Sequence, residues 1–174
     1  ELDTKLGSRL EARAIIPFSL KKNNPLHVLN PSCGDPYRFT YTEKCSPLIP
    51  SKLEVRLDGT ALLHDPAANS VLYDWSGGYL NRNTNWYWAA LSGFSGKKSV
   101  GANFAALVNE TFYPENAFWI NGRRTRVSRC FYDFDAQNPY SRPWKIVSDT
   151  GNVELVFHPE GERAAKINAG PVAK

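Results

Sequence analysis

Three segments of this sequence place a tight-turn signal between two stretches of alternating apolar and polar residues. Asp-Gly stands at 58–59, Asn-Gly at 121–122 and Asp-Thr-Gly at 149–151. Asp, Asn and Gly tolerate the positive φ angles of type I′ turns, whose twist matches that of paired strands. A chain with this pattern is predicted to fold through antiparallel β-hairpins.

The rest of the chain also favours an all-β fold. Further strand candidates are rich in aromatic and β-branched residues and are bounded by Gly, Pro, Asn and Ser. They are 9–16, 37–42, 71–75, 85–91, 99–107 and 129–133. The 12 prolines are spread along the chain, and no stretch of a dozen residues keeps a helical period. The pattern predicts an antiparallel meander that forms a barrel or a β-sandwich.

The length of 174 residues indicates one domain, or one domain with an arm. Residues 1–36 contain three prolines with polar residues between them and are predicted to form an opening strand and a loop arm. Residues 37–174 are predicted to form the β domain. Because the sequence contains no Met, we expect the chain to be processed or trimmed.

Composition and charge exclude several classes of protein. With 42% hydrophobic and 22% charged residues, the chain is neither disordered nor membrane-spanning, and no apolar run approaches the ~20 residues of a transmembrane helix. The net charge is +4 and the basic residues are scattered, so no nucleic-acid partner is predicted. The three cysteines, Cys33, Cys45 and Cys130, favour reduced thiols in an intracellular compartment or an organelle, although a Cys33–Cys45 bridge is an alternative.

The sequence predicts no metal site and no cofactor. His27, His64 and His158 are far apart, and none has a Cys or carboxylate at ligand spacing. The Gly-Lys pair at 96–97 lacks the leading glycine and the following helix of a phosphate-binding loop. It is predicted to be a polar hairpin loop.

An aromatic cluster is the densest unusual feature of the sequence. Trp75 follows Asp74, and Trp86 and Trp88 are two residues apart, which places both on one face of a strand. Inside a barrel they would form an apolar wall with indole N–H groups free to orient a ligand. The alternatives are simple packing between sheets, or stacking on sugar rings if the indoles are exposed.

Two carboxylates are candidate acids. Asp74 lies at a predicted strand end and Glu115 just before the strand at 117–120. If they converge in an apolar interior, one of them could donate a proton. The alternative is that each accepts backbone N–H bonds at a turn.

The chain resembles a domain-of-unknown-function family, number 2804, which is described as lipocalin-like. The resemblance runs from Phe39 to Arg163 and corresponds mainly to the second half of the family. Its motifs are Phe-Thr-Tyr-Thr-Glu-Lys at 39–44, Asp-Trp-Ser-Gly-Gly at 74–78, Trp-Tyr-Trp-Ala at 86–89, Gly-Ala-Asn at 101–103, Glu-Asn-Ala-Phe-Trp at 115–119, Pro-Trp-Lys-Ile at 143–146 and Phe-His-Pro-Glu-Gly-Glu-Arg at 157–163. It implies a lipocalin-like barrel or sandwich that is incomplete or completed by another segment, with open sheet edges covered by other protein chains.

Three functions follow from this resemblance. The first is a module that binds a hydrophobic small molecule or lipid without catalysis. The second is a structural or accessory subunit of a larger assembly, with a mitochondrial location as one option. The third is an enzyme of the terpenoid hydratase or cyclase type with Asp74 or Glu115 as its acid. The residues expected to line a ligand site are Trp75, Trp86, Trp88, Trp119, Asn103 and Asn116.

Overall fold

The computed structural model describes residues 2–3, 9–32, 35–62, 65–79, 86–107 and 114–161. Over these residues the fold is all-β with antiparallel sheets, as the sequence predicted. The strands are β1 (Leu2–Asp3), β2 (Arg9–Ile15), β3 (Leu26–Ser32), β4 (Asp35–Leu48), β5 (Lys52–Leu57), β6 (Thr60–Leu62), β7 (Val71–Gly78), β8 (Tyr87–Ser95), β9 (Lys98–Ala106), β10 (Ala117–Ile120), β11 (Arg123–Arg126), β12 (Cys130–Asp133), β13 (Trp144–Ser148) and β14 (Glu154–Phe157).

Helical structure in the described residues is limited to short turns. The α-helix α1 (Leu20–Asn23) has four residues, and a 3₁₀ turn spans Pro66–Ala68. Ser19 caps α1 by accepting a hydrogen bond from the Lys22 amide, and Asn24 ends it in the left-handed region. No helix in the described part of the chain has the length and hydropathy needed to cross a membrane.

The chain divides into two compact units, residues 1–130 and 131–174. The first contains three sheets with the strand orders β1-β2-β5-β6, β3-β4-β7 and β8-β9-β10-β11. The fourth sheet, β12-β13-β14, lies almost wholly in the second unit, where the Trp144 ring stacks on Phe134 at 4.4 Å between ring centroids. The sequence-based boundary between residues 36 and 37 stays a prediction.

All three predicted hairpins are confirmed. Asp58 and Gly59 have φ angles of 50° and 79° between β5 and β6, as a type I′ turn requires. Asn121 and Gly122 have φ angles of 49° and 75° between β10 and β11, and Gly151 with a φ of 68° lies in the turn between β13 and β14. The polar loop predicted at 96–97 joins β8 to β9.

The β3–β4–β7 sheet is larger than the sequence predicted. Strand β4 has 14 residues and pairs with β3 on one side and with β7 on the other. Strand β3 lies in a segment predicted to be a long loop, because its prolines argue against a strand. In this sheet β3 is an edge strand, and edge strands are where proline is accommodated in sheets.

In the first part of β4, residues 39–44, the polar face is buried and the aromatic face is more exposed, the reverse of an ordinary amphipathic strand. Its alternate residues Thr40, Thr42 and Lys44 are buried, whereas Phe39 is 46% exposed and Tyr41 is half-buried. The polar residues therefore point into the first unit and the aromatic residues point outward. This inversion brings a lysine into the interior.

An apolar core joins β3 to β10 in the first unit. It consists of Leu26, Val28, Ala117 and Trp119, all buried. The Trp119 indole N–H donates to the carbonyl oxygen of Asn24 at 3.0 Å, so its polar atom is satisfied inside the core.

Strand β4 crosses β9 with almost no space between the two backbones. A Cβ atom added to Gly101 would overlap the carbonyl carbon and oxygen of Ser46. The Ser46 hydroxyl donates to the Leu91 carbonyl oxygen on β8 at 2.7 Å, which ties the same point of β4 to the β8–β9 hairpin. Gly101 is thus required by close backbone approach.

The described strands do not close into a ring. Their pairings form four separate sheets, with no ladder that joins the β3–β4–β7 sheet to the β8–β11 sheet within the described residues. This is consistent with an incomplete barrel or a sandwich, both of which the sequence predicted.

The buried thiol of Cys45 is predicted to react slowly. Neither Cys45 nor Cys130 is in a disulfide and both are buried, and Cys33 lies outside the described residues. Burial, with a smaller contribution from Glu43, raises the pKa of the Cys45 thiol to about 11. Because the thiolate is the nucleophile, we expect alkylation of Cys45 by iodoacetamide at pH 8 to be at least about 100-fold slower than in the urea-unfolded chain. Peptide mass spectrometry measures both rates, and similar rates would contradict a buried thiol.

Candidate functional site

A buried lysine is held between two carboxylates at the centre of the first unit. The Lys44 ammonium on β4 lies 2.7 Å from Oδ2 of Asp74 on β7 and 3.5 Å from Oε2 of Glu115, two residues before β10. The Lys44 side chain is 7% exposed. These three residues, here named the Lys44 cluster, leave a formal charge of −1 in the interior. Buried charges are rare unless they are paired in this way.

The strand register explains how these residues meet. Lys44 is directly opposite Asp74 in the β4–β7 ladder, and on this face of β4 Thr42 is the neighbour two residues away. Glu115 belongs to the β8–β11 sheet, because it lies just before β10. In that sheet β10 pairs with β9, and Ala117 is opposite Asn103. Residues from two sheets therefore converge on one ammonium.

Glu115 is surrounded by hydrogen-bond donors. Its Oε1 accepts from the Asn30 amide at 3.1 Å and from the Thr42 hydroxyl at 3.2 Å, while Oε2 faces Lys44. Ser76 on β7 lies 3.2 Å from the Thr42 oxygen and can donate to it in turn. Both hydrogen bonds to Glu115 Oε1 use the carboxylate as an acceptor.

Trp88 lies beside the Lys44 cluster and is held in place by Asn103. The indole N–H donates to Oδ1 of Asn103 at 2.7 Å, and the Asn103 amide donates to the Glu115 carbonyl oxygen at 2.5 Å. The Lys44 ammonium lies 5.7 Å from the centroid of the Trp88 ring, within cation–π distance. Because Trp88 is 45% exposed, part of the fixed indole is open to solvent.

Asp74 is the member of the Lys44 cluster that is most accessible to solvent. Its side chain is 25% exposed, and only its Oδ2 is used by Lys44. Within the described ranges Asp74 Oδ1 accepts no hydrogen bond and forms no ion pair. The site therefore presents one carboxylate oxygen beside the accessible face of an indole.

The structure brings together four of the eight residues predicted from sequence. Asp74 and Glu115 converge through Lys44, and Trp88 and Asn103 adjoin them. The other four lie elsewhere: Trp75 is exposed on the opposite face of β7, Trp86 is exposed just before β8, Trp119 is in the apolar core, and Asn116 is buried. The Asn116 side chain accepts from the Ala105 amide at 2.6 Å and donates to the Ser128 carbonyl at 2.8 Å. The ligand-binding roles of these residues stay predictions.

Sequence reasoning missed Lys44, Thr42 and Asn30. The first two occur in the motif at 39–44, where polar residues alternate with aromatic ones. Such alternation is normally interpreted with the aromatic residues inside, which would place Lys44 in solvent. Its pairing with two acids from distant segments is visible only in the folded chain.

Comparison with known families agrees with the sequence motifs. The family model described as Domain of unknown function (DUF2804) matches residues 4–174. The chain belongs to the DUF2804 family. No curated protein sequence and no solved structure matched this DUF2804 chain. Over its described residues it contains no group of three His, Cys, Asp or Glu side chains arranged to hold a metal ion.

Proposed function

We propose that the chain binds a neutral, largely apolar small molecule through a hydroxyl group at the open side of the Lys44 cluster. The observation that carries this proposal is the Asp74 Oδ1 atom, which has no partner in the described structure and lies in the cluster that Trp88 adjoins. A binding role agrees with the first of the three sequence-based hypotheses. The hydroxyl group of the ligand was not part of that hypothesis.

The charges of the cluster favour a hydroxyl over an anion. An anionic ligand would be repelled by the carboxylates of Asp74 and Glu115, which outnumber the single ammonium of Lys44. A hydroxyl avoids this penalty, because it can donate to Asp74 without adding charge. Hydrogen bonds to a charged acceptor contribute about 1.5–3 kcal/mol.

Trp88 offers an apolar surface for the rest of the ligand. Its indole N–H is already used by Asn103, so the exposed part of the ring is available for stacking or apolar contact. A ligand with an unsaturated or cyclic hydrocarbon body fits this surface. A lipocalin-like arrangement of the sheets would place such a body between them.

The contacts of the two carboxylates favour binding over acid catalysis. Protonation of an alkene requires a carboxyl group that carries a proton, but Glu115 accepts from Asn30 and Thr42, and Asp74 accepts from Lys44. The hydratase or cyclase hypothesis and the accessory-subunit hypothesis stay predictions.

We expect the chain to bind all-trans-retinol more tightly than retinal or retinoate. The three probes share one hydrocarbon body, but only retinol has a neutral hydroxyl donor. Loss of a hydrogen bond to a carboxylate corresponds to about a 10- to 100-fold increase in Kd. Energy transfer from tryptophan to the bound polyene measures the affinities. Equal binding of retinal, or preferential binding of retinoate, would contradict the proposed role of Asp74.

Variants locate the site. Asp74→Ala and Trp88→Ala should each raise the Kd for retinol about tenfold or more, by removing the acceptor and the apolar surface. Trp75→Ala is the matched control, because it also removes an exposed tryptophan but from the opposite face of β7. It should leave the Kd within about twofold, with circular dichroism confirming that each variant is folded.

A further inference from the structure

A recess lies on the outer face of the β3–β4–β7 sheet. It has a volume of about 300 Å³, at the lower end of the range for small-molecule sites. Its lining includes Ile16, Phe18, Glu43, Leu48, Val71 and Tyr73. Since neighbouring residues of a strand point to opposite faces, Glu43 faces away from the Lys44 cluster. The two sites are therefore separated by the sheet.

One carboxylate is set in this apolar lining. Among the described residues that form the recess, Glu43 is the only charged one. Its side chain is 20% exposed, and its Oε2 accepts a hydrogen bond from the Tyr41 hydroxyl at 3.3 Å. Glu43 Oε1 has no partner within the described ranges. A ligand with a positive group can therefore pair with Glu43.

His27 and Tyr41 hold the carboxylate in position. The His27 Nδ1 atom lies 2.6 Å from the Tyr41 oxygen and 3.7 Å from Oε2 of Glu43. A phenol has a single proton, so when Tyr41 donates to Glu43 the His27 Nδ1–H must be the donor to Tyr41. Partial burial, followed by the nearby Glu43 carboxylate, raises the pKa of the Tyr41 hydroxyl, which keeps its proton at neutral pH.

Two aromatic rings flank the recess. The ring centroids of Phe18 and Tyr73 are 6.3 Å apart and their planes are inclined by 51°. Ring faces attract alkylammonium groups through cation–π interactions, and a nearby carboxylate adds charge attraction. An anion would be repelled by Glu43, and a neutral ligand would not neutralise the negative charge of the carboxylate. The combination is selective for a positive charge on an apolar body.

We propose that this recess binds a small lipophilic ammonium ion, with its apolar body against Phe18 and Tyr73 and its nitrogen at Glu43. This site is independent of the function proposed for the Lys44 cluster. The charge complementarity of Glu43 identifies the occupant, and the recess volume limits it to a small molecule.

Three matched probes test the charge preference: 3-phenylpropylammonium, 3-phenylpropanol and 3-phenylpropanoate. They differ only at the terminal group. We expect the ammonium to bind about tenfold more tightly than the alcohol, and the carboxylate to bind most weakly. Protein-observed NMR titration measures the three Kd values. Equal affinity for the ammonium and the alcohol, or tighter binding of the carboxylate, would overturn the proposal.

Variants identify the recess as the site. Glu43→Gln should weaken ammonium binding about tenfold, whereas Glu154→Gln, a control at an exposed acid on β14, should have no effect. If Glu43→Gln does not fold, Phe18→Ala is the second test of the recess and should also weaken ammonium binding. Phe18 is exposed and lies outside the strands, so this substitution should not prevent folding. Unchanged ammonium binding in a folded variant of either kind would overturn the site.

One further variant separates the two proposals. Asp74→Ala should weaken retinol binding and leave ammonium binding unchanged. If it abolishes ammonium binding, the ammonium occupies the Lys44 cluster and the recess is not its site.

Discussion

Lys44→Ala is expected to lower the free energy of unfolding by about 3–5 kcal/mol, because it leaves the buried Glu115 carboxylate without its cation. The hydrogen bonds from Asn30 and Thr42 would remain, but they do not neutralise the charge. Urea unfolding followed by tryptophan fluorescence measures the loss, and the fully buried Trp119 is a suitable reporter.

A charge-free replacement distinguishes the ion pair from simple packing. In Lys44→Met combined with Glu115→Gln, no unpaired charge remains at the Glu115 position, and we expect at least half of the lost stability to return. Arg56→Ala serves as the control, because it breaks an exposed pair with Glu54 and should change the urea midpoint little. A Lys44→Ala variant as stable as this control would show that the cluster contributes little to folding.

Gly101→Ala is expected to have the second largest effect, a loss of about 3 kcal/mol in the free energy of unfolding. The added methyl group would overlap the backbone of Ser46, which cannot move aside as a flexible side chain does. The strain would separate β4 from β9 and loosen the bond from the Ser46 hydroxyl to Leu91. Urea unfolding measures the change in midpoint.

Gly93→Ala is the matched control for this substitution. Gly93 lies on β8, next to β9 in the same hairpin, has no atom within 4 Å of an added Cβ, and does not have a positive φ. Alanine there should be neutral or slightly stabilising, because it restricts the unfolded chain. Equal losses at both positions would indicate a general effect of alanine in the hairpin and would contradict the close approach of β4.

The hairpins could be predicted because their signals are local. Asp58 and Gly59 adopt the positive φ angles that their residue types favour, regardless of what the hairpin packs against. The same holds for the turn at 121–122. Local backbone preference is present in the sequence itself, so the class of the fold followed from it.

The interior arrangement depends on contacts between distant segments. Lys44 pairs with Asp74, which is 30 residues away in the sequence, and Asn30 donates to Glu115, which is 85 residues away. The convergence of Asp74 and Glu115 was proposed as one option from sequence, but their shared partner was not. Strand β3 was missed for a similar reason, since it depends on pairing with β4 in spite of its prolines.

The inverted faces of β4 have a consequence for folding fidelity. A slip of β4 by one residue would turn Phe39 and Tyr41 inward and Lys44 outward, so burial of these three side chains would not oppose it. What opposes the slip is the loss of the lysine from Asp74 and Glu115, which would leave Glu115 as a buried anion. We infer that the ion pairs determine the register of β4 against its neighbours. They distinguish this alignment of the sheet from alignments that are shifted by one residue. This contributes to the uniqueness of the folded structure more than to its net stability.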